Sequence, residues 1–428
     1  MEVTILPTKE LRGQVRVPGD KSISHRAVML GALAYGETEI DHFLFGADCL
    51  STIEIIRALG VQVFTEKNRV VVRSGGMDAL LEPENMLDAG NSGTTMRLMA
   101  GVLSGCPFFS VLTGDNSLRQ RPMGRVIKPL TAMGARITAR KGNSLAPLAI
   151  QGGKLQAMEY CSPVASAQVK SAVMLAGLFT AGVTTVIEPA RSRDHTERML
   201  KYFGARVEVD GQRVSIWGRP NLTGKKITIP GDISSAMFFI AAGITVPGAK
   251  LDILNVGINP TRTGALAILK DMGADITLHN RREVNGEPVA DLKVRGSQLK
   301  GTVIGGEIIP KLIDEIPVLA VVAALAEGET VVRDAAELRH KESDRITAVV
   351  RLLGALGADV SESPDGFVVR GGRQLKGAPC DSFGDHRMAM AAAVAGLSAH
   401  GSTTINGAEC VDVSFPDFFD TLNGIIVK

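Results

Sequence analysis

The sequence predicts an α/β protein of two similar domains, each holding three copies of one unit, with apolar helices inside and sheets outside. Three observations lead there. A phrase that ends a helix and begins a strand recurs six times. A second phrase, which starts an apolar helix, recurs six times in phase with it. A Pro-Gly-Asp crossing appears twice, almost half the chain apart.

The first phrase is an apolar turn, a glycine, a small residue and a β-branched run. It stands at Ala58-Leu59-Gly60-Val61, Ala132-Met133-Gly134-Ala135 and Tyr202-Phe203-Gly204-Ala205. It returns at Asp271-Met272-Gly273-Ala274, Ala355-Leu356-Gly357-Ala358 and, more weakly, Thr421-Leu422-Asn423-Gly424. Glycine accepts the left-handed conformation that ends a helix, so each copy reads as a helix stop before a strand.

The second phrase starts at Asp20, Asn91, Ser166, Asp232, Asp314 and Asp385 and closes at Gly36, Gly105, Gly182, Gly248, Gly328 and Gly401. Asp, Asn and Ser are good N-caps, so each copy reads as a helix of about four turns. Runs such as Val318–Ala326 and Ala389–Leu397 are apolar nearly all round, and a helix without a polar face is buried. Strands are expected at Val15–Val17, Val70–Val72, Thr184–Ile187, Val207–Val209 and Lys226–Ile229. The crossings Val17-Pro18-Gly19-Asp20 and Ile229-Pro230-Gly231-Asp232 group the six units as three plus three. They set one domain at 20–229 and the other at 1–19 with 230–428, with hinges near 18–20 and 229–232.

Composition narrows the function. Among 428 residues, 47 cations nearly balance 45 anions, which argues against a polyanionic partner such as nucleic acid. Glycine is high at 47 residues and aromatics are low at 4%, which suits small side chains packed closely between helices. Five scattered cysteines form no CxxC pair, so a reducing cytoplasm is expected rather than a disulfide framework. The start lacks the features of a signal peptide, and apolar runs such as Ile316–Ala326 are too short to span a membrane. Seven histidines show neither HxH nor HExxH spacing, so no metal site is expected.

Polar residues gather at the starts of the buried helices. They include Asp20-Lys21-Ser22-Ile23-Ser24-His25-Arg26, Asn91-Ser92-Gly93-Thr94-Thr95-Met96-Arg97 and Ser166-Ala167-Gln168-Val169-Lys170. Later copies carry Asp314-Glu315 and Asp385-His386-Arg387. Helix N-termini attract anions, and Lys21, Arg26, Arg97, Lys170 and Arg387 add formal charge. Equivalent starts in a threefold repeat are expected to converge on one face, and two such faces would line a cleft for small phosphates or carboxylates. A lone arginine at a helix start is usually a solvated charge. The repeated placement is what argues for a site.

Two further segments bear cations. Arg119 to Arg125 holds three arginines, and His340-Lys341-Glu342-Ser343-Asp344-Arg345 mixes both signs. On a helix, Lys341 and Arg345 would share a face beside Glu342, either as a salt-bridged surface or as a tuned acid for proton transfer. Asp314, in an apolar stretch, reads as an N-cap, a base or a hydroxyl anchor.

These motifs resemble the 5-enolpyruvylshikimate-3-phosphate synthase family over essentially the whole chain. The carriers are PGDKSISHR at 18–26, GNSGTTMR at 90–97, RQRPMGR at 119–125, SAQVKSA at 166–172, SRDHTE at 192–197, HKESDR at 340–345 and GDHRMAM at 384–390. The resemblance implies a two-domain inside-out α/β barrel of six βαβαββ units. It implies transfer of the enolpyruvyl group of phosphoenolpyruvate to the 5-hydroxyl of shikimate 3-phosphate through a tetrahedral intermediate, in chorismate and aromatic amino acid biosynthesis. No cofactor is implied. By the same resemblance Glu342 donates a proton to the methylene carbon, Asp314 accepts the hydroxyl proton and Lys21 touches both substrates. Gly93, Arg121, Gln168, Arg345 and Arg387 match groups that hold phosphoenolpyruvate. Ser22, Arg26, Ser166, Ala167, Gln168, Arg193, Asp314 and Lys341 match groups that hold shikimate 3-phosphate. A monomer in the cytoplasm is expected.

Three positions depart from the enterobacterial pattern: Val413 replaces a lysine, Glu337 an expected asparagine, and Arg193 stands where a Ser…Tyr pair is found. Arg193, His195 and the Asn259-Pro260-Thr261-Arg262 run resemble the class II branch instead. Two other readings compete with this one. A UDP-N-acetylglucosamine enolpyruvyl transferase resembles a Lys-Asn pair and a loop cysteine, but Lys21-Ser22 stands here and 114–121 holds no Cys. A non-catalytic phosphometabolite-binding protein predicts loss of Asp314 or Glu342, and both are present.

Overall fold

The structure is a computed structural model and describes residues 1–427. The chain divides into two compact units. One, inserted in the other, runs Gly19–Ile229 and includes Val284–Glu287; the flanking unit comprises Met1–Pro18, Pro230–Glu283 and Pro288–Lys428. Each unit has its own apolar core.

Six helices form the centre of the repeats: Lys21–Leu33, Gly93–Gly105 and Ala167–Gly177 in the inserted unit, and Ile233–Thr245, Ile316–Leu325 and His386–Ser398 in the flanking one. Asp20, Ser92, Ser166, Asp232 and Asp385 cap five of them by accepting backbone N–H bonds. The second cap is therefore Ser92 and not Asn91. The fifth helix differs more. Glu315 occupies its cap position without a side-chain bond to a helix N–H, and Asp314 lies in the short turn Ile313–Glu315 before it, so Asp314 is not an N-cap.

The helices pack closely because the residues between them are small. A Cβ on Gly101 would stand 2.3 Å from the carbonyl oxygen of Ala172, so only glycine lets the Gly93 and Ala167 helices approach this far. Five glycines of the helix-stop phrase, Gly60, Gly134, Gly204, Gly273 and Gly357, have φ between +79° and +108°; Gly424 stays right-handed.

Five of the six sheets share one order: a short parallel edge strand, a central strand, then an antiparallel hairpin. Leu87–Asp88, Phe109–Thr113, Leu145–Gln151 and Arg136–Ala139 show it within one stretch of chain. Two units borrow their edge strand from far away. Lys226–Thr228 pairs with Glu39–Asp41, and Arg12–Arg16 pairs with Lys250–Leu254. The sixth sheet has three strands and takes Glu2–Ile5 against Thr403–Asn406. Among the described residues no helix is long and apolar enough to cross a membrane.

The buried helices open toward solvent chiefly in their first turns. In the Lys21 helix only Lys21 and Ser22 escape full burial; in the Gly93 helix it is Thr94, and in the Ala167 helix Ala167 and Gln168. Arg387 plays the same part in the last of the six.

Candidate active site

Each unit carries one cluster of polar side chains, formed at those first turns. In the inserted unit, Lys21 begins its helix and its Nζ lies 2.6 Å from Asp48 Oδ2. Asp48 was not foreseen from the sequence; its place in the first turn of the Ala47–Ala58 helix, where acidic residues are common, was the available signal. One turn after Lys21, Arg26 is almost fully buried. Its Nε donates to Thr196 Oγ1 at 2.7 Å, Nη1 to the Ser22 carbonyl at 2.9 Å and Nη2 to Ser171 Oγ at 2.9 Å. Burial lowers its pKa to about 10, the largest opposing influence being Glu197.

The Gly93 turn holds two more guanidiniums. Arg121 donates to Asn91 Oδ1 at 2.6 Å and to Ser117 Oγ at 3.2 Å. Arg97 donates to Gln168 Oε1 at 2.7 Å, and Gln168 Nε2 donates to Thr94 Oγ1 at 3.1 Å. A Cβ on Gly93 would stand 2.7 Å from Arg97 Nη1 and 3.7 Å from Arg121 Nη1. Ser166 caps the next helix and Ala167 follows it. Arg193 lies just before the His195–Phe203 helix, where its charge helps lower the Arg26 pKa.

Lys170 does not join this set. It is 1% exposed, with Nζ 2.8 Å from Glu188 and 2.7 Å from Glu197. Its cationic charge is consumed inside the core. His195 is buried as well, and its Nδ1 meets Glu287 Oε1 at 2.7 Å.

The flanking unit gathers its cluster around Arg345, whose side chain is 1% exposed. Nε and Nη2 grip Asp385 at 2.8 and 3.2 Å, Nη2 also meets Glu342 Oε2 at 2.7 Å, and Nη1 meets Asp314 Oδ1 at 3.3 Å. Lys341 Nζ approaches the same Asp314 oxygen at 3.1 Å. Arg387 Nη1 donates to the Asp314 carbonyl at 3.0 Å. Burial would release the Arg345 proton, but Asp385, Glu342 and Asp314 outweigh it and hold the guanidinium firmly charged. In return, Arg345 overcomes burial and keeps Asp385 below the ordinary carboxylate range.

The run from Lys341 to Arg345 is not one helical face. Asp344 caps a helix that begins only at Arg345, and Lys341 is extended. The two cations converge on Asp314 through this bend. Glu337 is exposed, and Val413 ends the turn Ala408–Val413. Chemically, one cluster offers convergent donors for phosphate or carboxylate oxygens, and the other sets the carboxylates of Asp314, Glu342 and Asp385 beside three cations.

Comparison with known proteins points one way. The sequence pattern of the family described as EPSP synthase (3-phosphoshikimate 1-carboxyvinyltransferase) matches residues 5–422. A 3-phosphoshikimate 1-carboxyvinyltransferase of Pelotomaculum thermopropionicum is 61% identical over 100% of this chain and 99% of the relative. One from Desulforamulus reducens is 57% identical over all of both chains. The EPSP synthase structure from Acinetobacter baumannii superposes with a TM-score of 0.90 at 45% identity, covering 100% of this chain and 98% of that one.

Proposed function

The chain belongs to the EPSP synthase family, the 3-phosphoshikimate 1-carboxyvinyltransferases, and from that premise we propose how its own side chains divide the work. The protein transfers the enolpyruvyl group of phosphoenolpyruvate to the 5-hydroxyl of shikimate 3-phosphate and releases phosphate, a step toward the aromatic amino acids. Its fold is the family's two-domain inside-out α/β barrel.

Both substrates are polyanions, so cations must offset their repulsion before the reacting atoms can meet. In our reading Arg26, Ser22, Ser166, Ala167, Gln168, Arg193 and Lys341 hold shikimate 3-phosphate. Gly93, Arg121, Gln168, Arg345 and Arg387 hold phosphoenolpyruvate, and Lys21 touches both. The buried helix dipoles and free N–H groups of the first turns support this assignment.

Asp314 accepts the proton of the 5-hydroxyl as that oxygen bonds to the central carbon of phosphoenolpyruvate. Glu342 supplies the proton that turns the methylene into a methyl group. The resulting tetrahedral adduct then loses a methyl proton to the emptied Glu342 carboxylate, and the carbon–oxygen bond to phosphate breaks. Lys341 and Arg345 beside Asp314 favour its ionised form, as a base requires.

The observation that supports a base at Asp314 is its two cations, Lys341 at 3.1 Å and Arg345 at 3.3 Å, and Arg345 brings Glu342 into the same cluster. Phosphate release from the two substrates tests the reaction. Loss of release in both Glu342→Gln and Asp314→Asn, with the proteins folded, tests the division. We further propose a monomer, since one chain supplies every group named, and the cytoplasm, where its five free thiols would stay reduced.

A further inference from the structure

The reaction leaves one set of buried ionisable groups without a task. Lys170, Glu188, His195, Glu197 and Glu287 are all nearly inaccessible and belong to the inserted unit. Two of them, His195 and Glu197, lie in the first turn of the His195–Phe203 helix, with Thr196 buried between them. Each of these three reaches a different neighbour. His195 meets Glu287, Glu197 meets Lys170 of the Ala167–Gly177 helix, and Thr196 accepts from Arg26 of the Lys21–Leu33 helix.

Two adjacent pairs clasp the helices together. Lys170 meets Glu197 at 2.7 Å, and their neighbours Ser171 and Thr196 share a hydrogen bond of 2.6 Å between hydroxyls. That hydroxyl pair lies against the Arg26 guanidinium, taking Nε and Nη2. With the Ser22 carbonyl on Nη1, three of five N–H groups are engaged. One N–H remains on each terminal nitrogen, a fork suited to two oxygens of a phosphate.

We propose that Thr196, seated with Ser171, is a positioning residue for shikimate 3-phosphate: it aims the Arg26 fork, and the buried Lys170–Glu197 pair fixes its register. The proposal rests on the reading that Arg26 holds that substrate. A valine at 196 keeps the shape and removes the acceptor, leaving Nε buried without it and the fork held only by Ser171 and the Ser22 carbonyl.

Steady-state kinetics of the full chain test it. Thr196→Val is expected to raise KM for shikimate 3-phosphate about 10-fold while leaving KM for phosphoenolpyruvate within about twofold. Thr196→Ser, which keeps the hydroxyl, is expected to restore the first KM. Ser171→Ala gives a second, independent variant with the same selective rise. A merely structural role would lower the unfolding temperature and move both KM values together, and that outcome overturns the proposal. Arg26→Lys is measured alongside. If it raises KM for shikimate 3-phosphate and the Thr196 and Ser171 variants do not, the positioning role fails; if it does not, the Arg26 reading fails with it.

Discussion

Glu342 Oε2 lies 2.7 Å from Arg345 Nη2, three residues away, while the same guanidinium is clamped by Asp385. The proposed proton donor therefore hangs from a cation that Asp385 holds in place. Replacing its carboxylate by an amide keeps an acceptor for Arg345 and removes the transferable proton. Glu342→Gln is expected to lower kcat by on the order of 10²–10⁴-fold. Binding of shikimate 3-phosphate, read by calorimetry, is expected to stay nearly unchanged. Collapse of that binding would make the carboxylate structural.

Gly93→Ala places a methyl 2.7 Å from Arg97 Nη1. Arg97 must shift, and it carries Gln168 with it through their 2.7 Å hydrogen bond. The fold absorbs this because the displaced atom ends a long side chain. We expect KM for phosphoenolpyruvate to rise on the order of 10-fold, since small displacements of binding groups are costly. KM for shikimate 3-phosphate is expected to rise less, through Gln168 alone, and the unfolding midpoint serves as the control and is expected to change little.

Asp385 makes stability depend on acid. Its folded carboxyl is held below the ordinary range by Arg345, so its contribution is present above the unfolded value of about 3.9. That contribution drains away as the pH falls through the folded value. Asp385→Asn is expected to be less stable than the parent at pH 7, with the gap narrowing in acid below about pH 4. Urea unfolding of both proteins across this range measures it. A gap that stays constant would show that the charge of Asp385 contributes nothing.

Lys170→Met leaves Glu188 and Glu197 buried without their shared cation. Removing one partner of a buried pair costs about 3–5 kcal/mol. Denaturant midpoints are expected to fall accordingly. A midpoint equal to the parent's would show that the Lys170 charge does not stabilise the fold.

Much of this was readable from residues one after another. Helix stops were legible because a left-handed turn such as that at Gly204 or Gly273 selects glycine, and helix starts because Asp20 and Asp385 precede apolar runs. Partners remote in sequence were not. Nothing local marks Lys226–Thr228 as the edge strand for Glu39–Asp41, or Glu188 and Glu197 as the counterions of Lys170. Asp344 was the missed signal near Glu342: Asp before an apolar run caps a helix, which breaks the periodicity assumed from Lys341 to Arg345. The charged residues of the site were visible as types, while their pairing depended on burial.

The distant strand pairings also set an order of events during synthesis on the ribosome. The first two strands, Glu2–Ile5 and Arg12–Arg16, emerge before any partner exists. The inserted unit's helices and sheets lie within Gly19–Ile229, so most of it can consolidate while the flanking unit is still waiting. Glu2–Ile5 finds its mate only when Thr403–Asn406 appears, roughly 9–35 s after residue 229 at common elongation rates. Through that interval the nascent chain carries an unmatched leading strand, and chaperone capture is expected to favour Glu2–Ile5, since Arg12–Arg16 finds Lys250–Leu254 early.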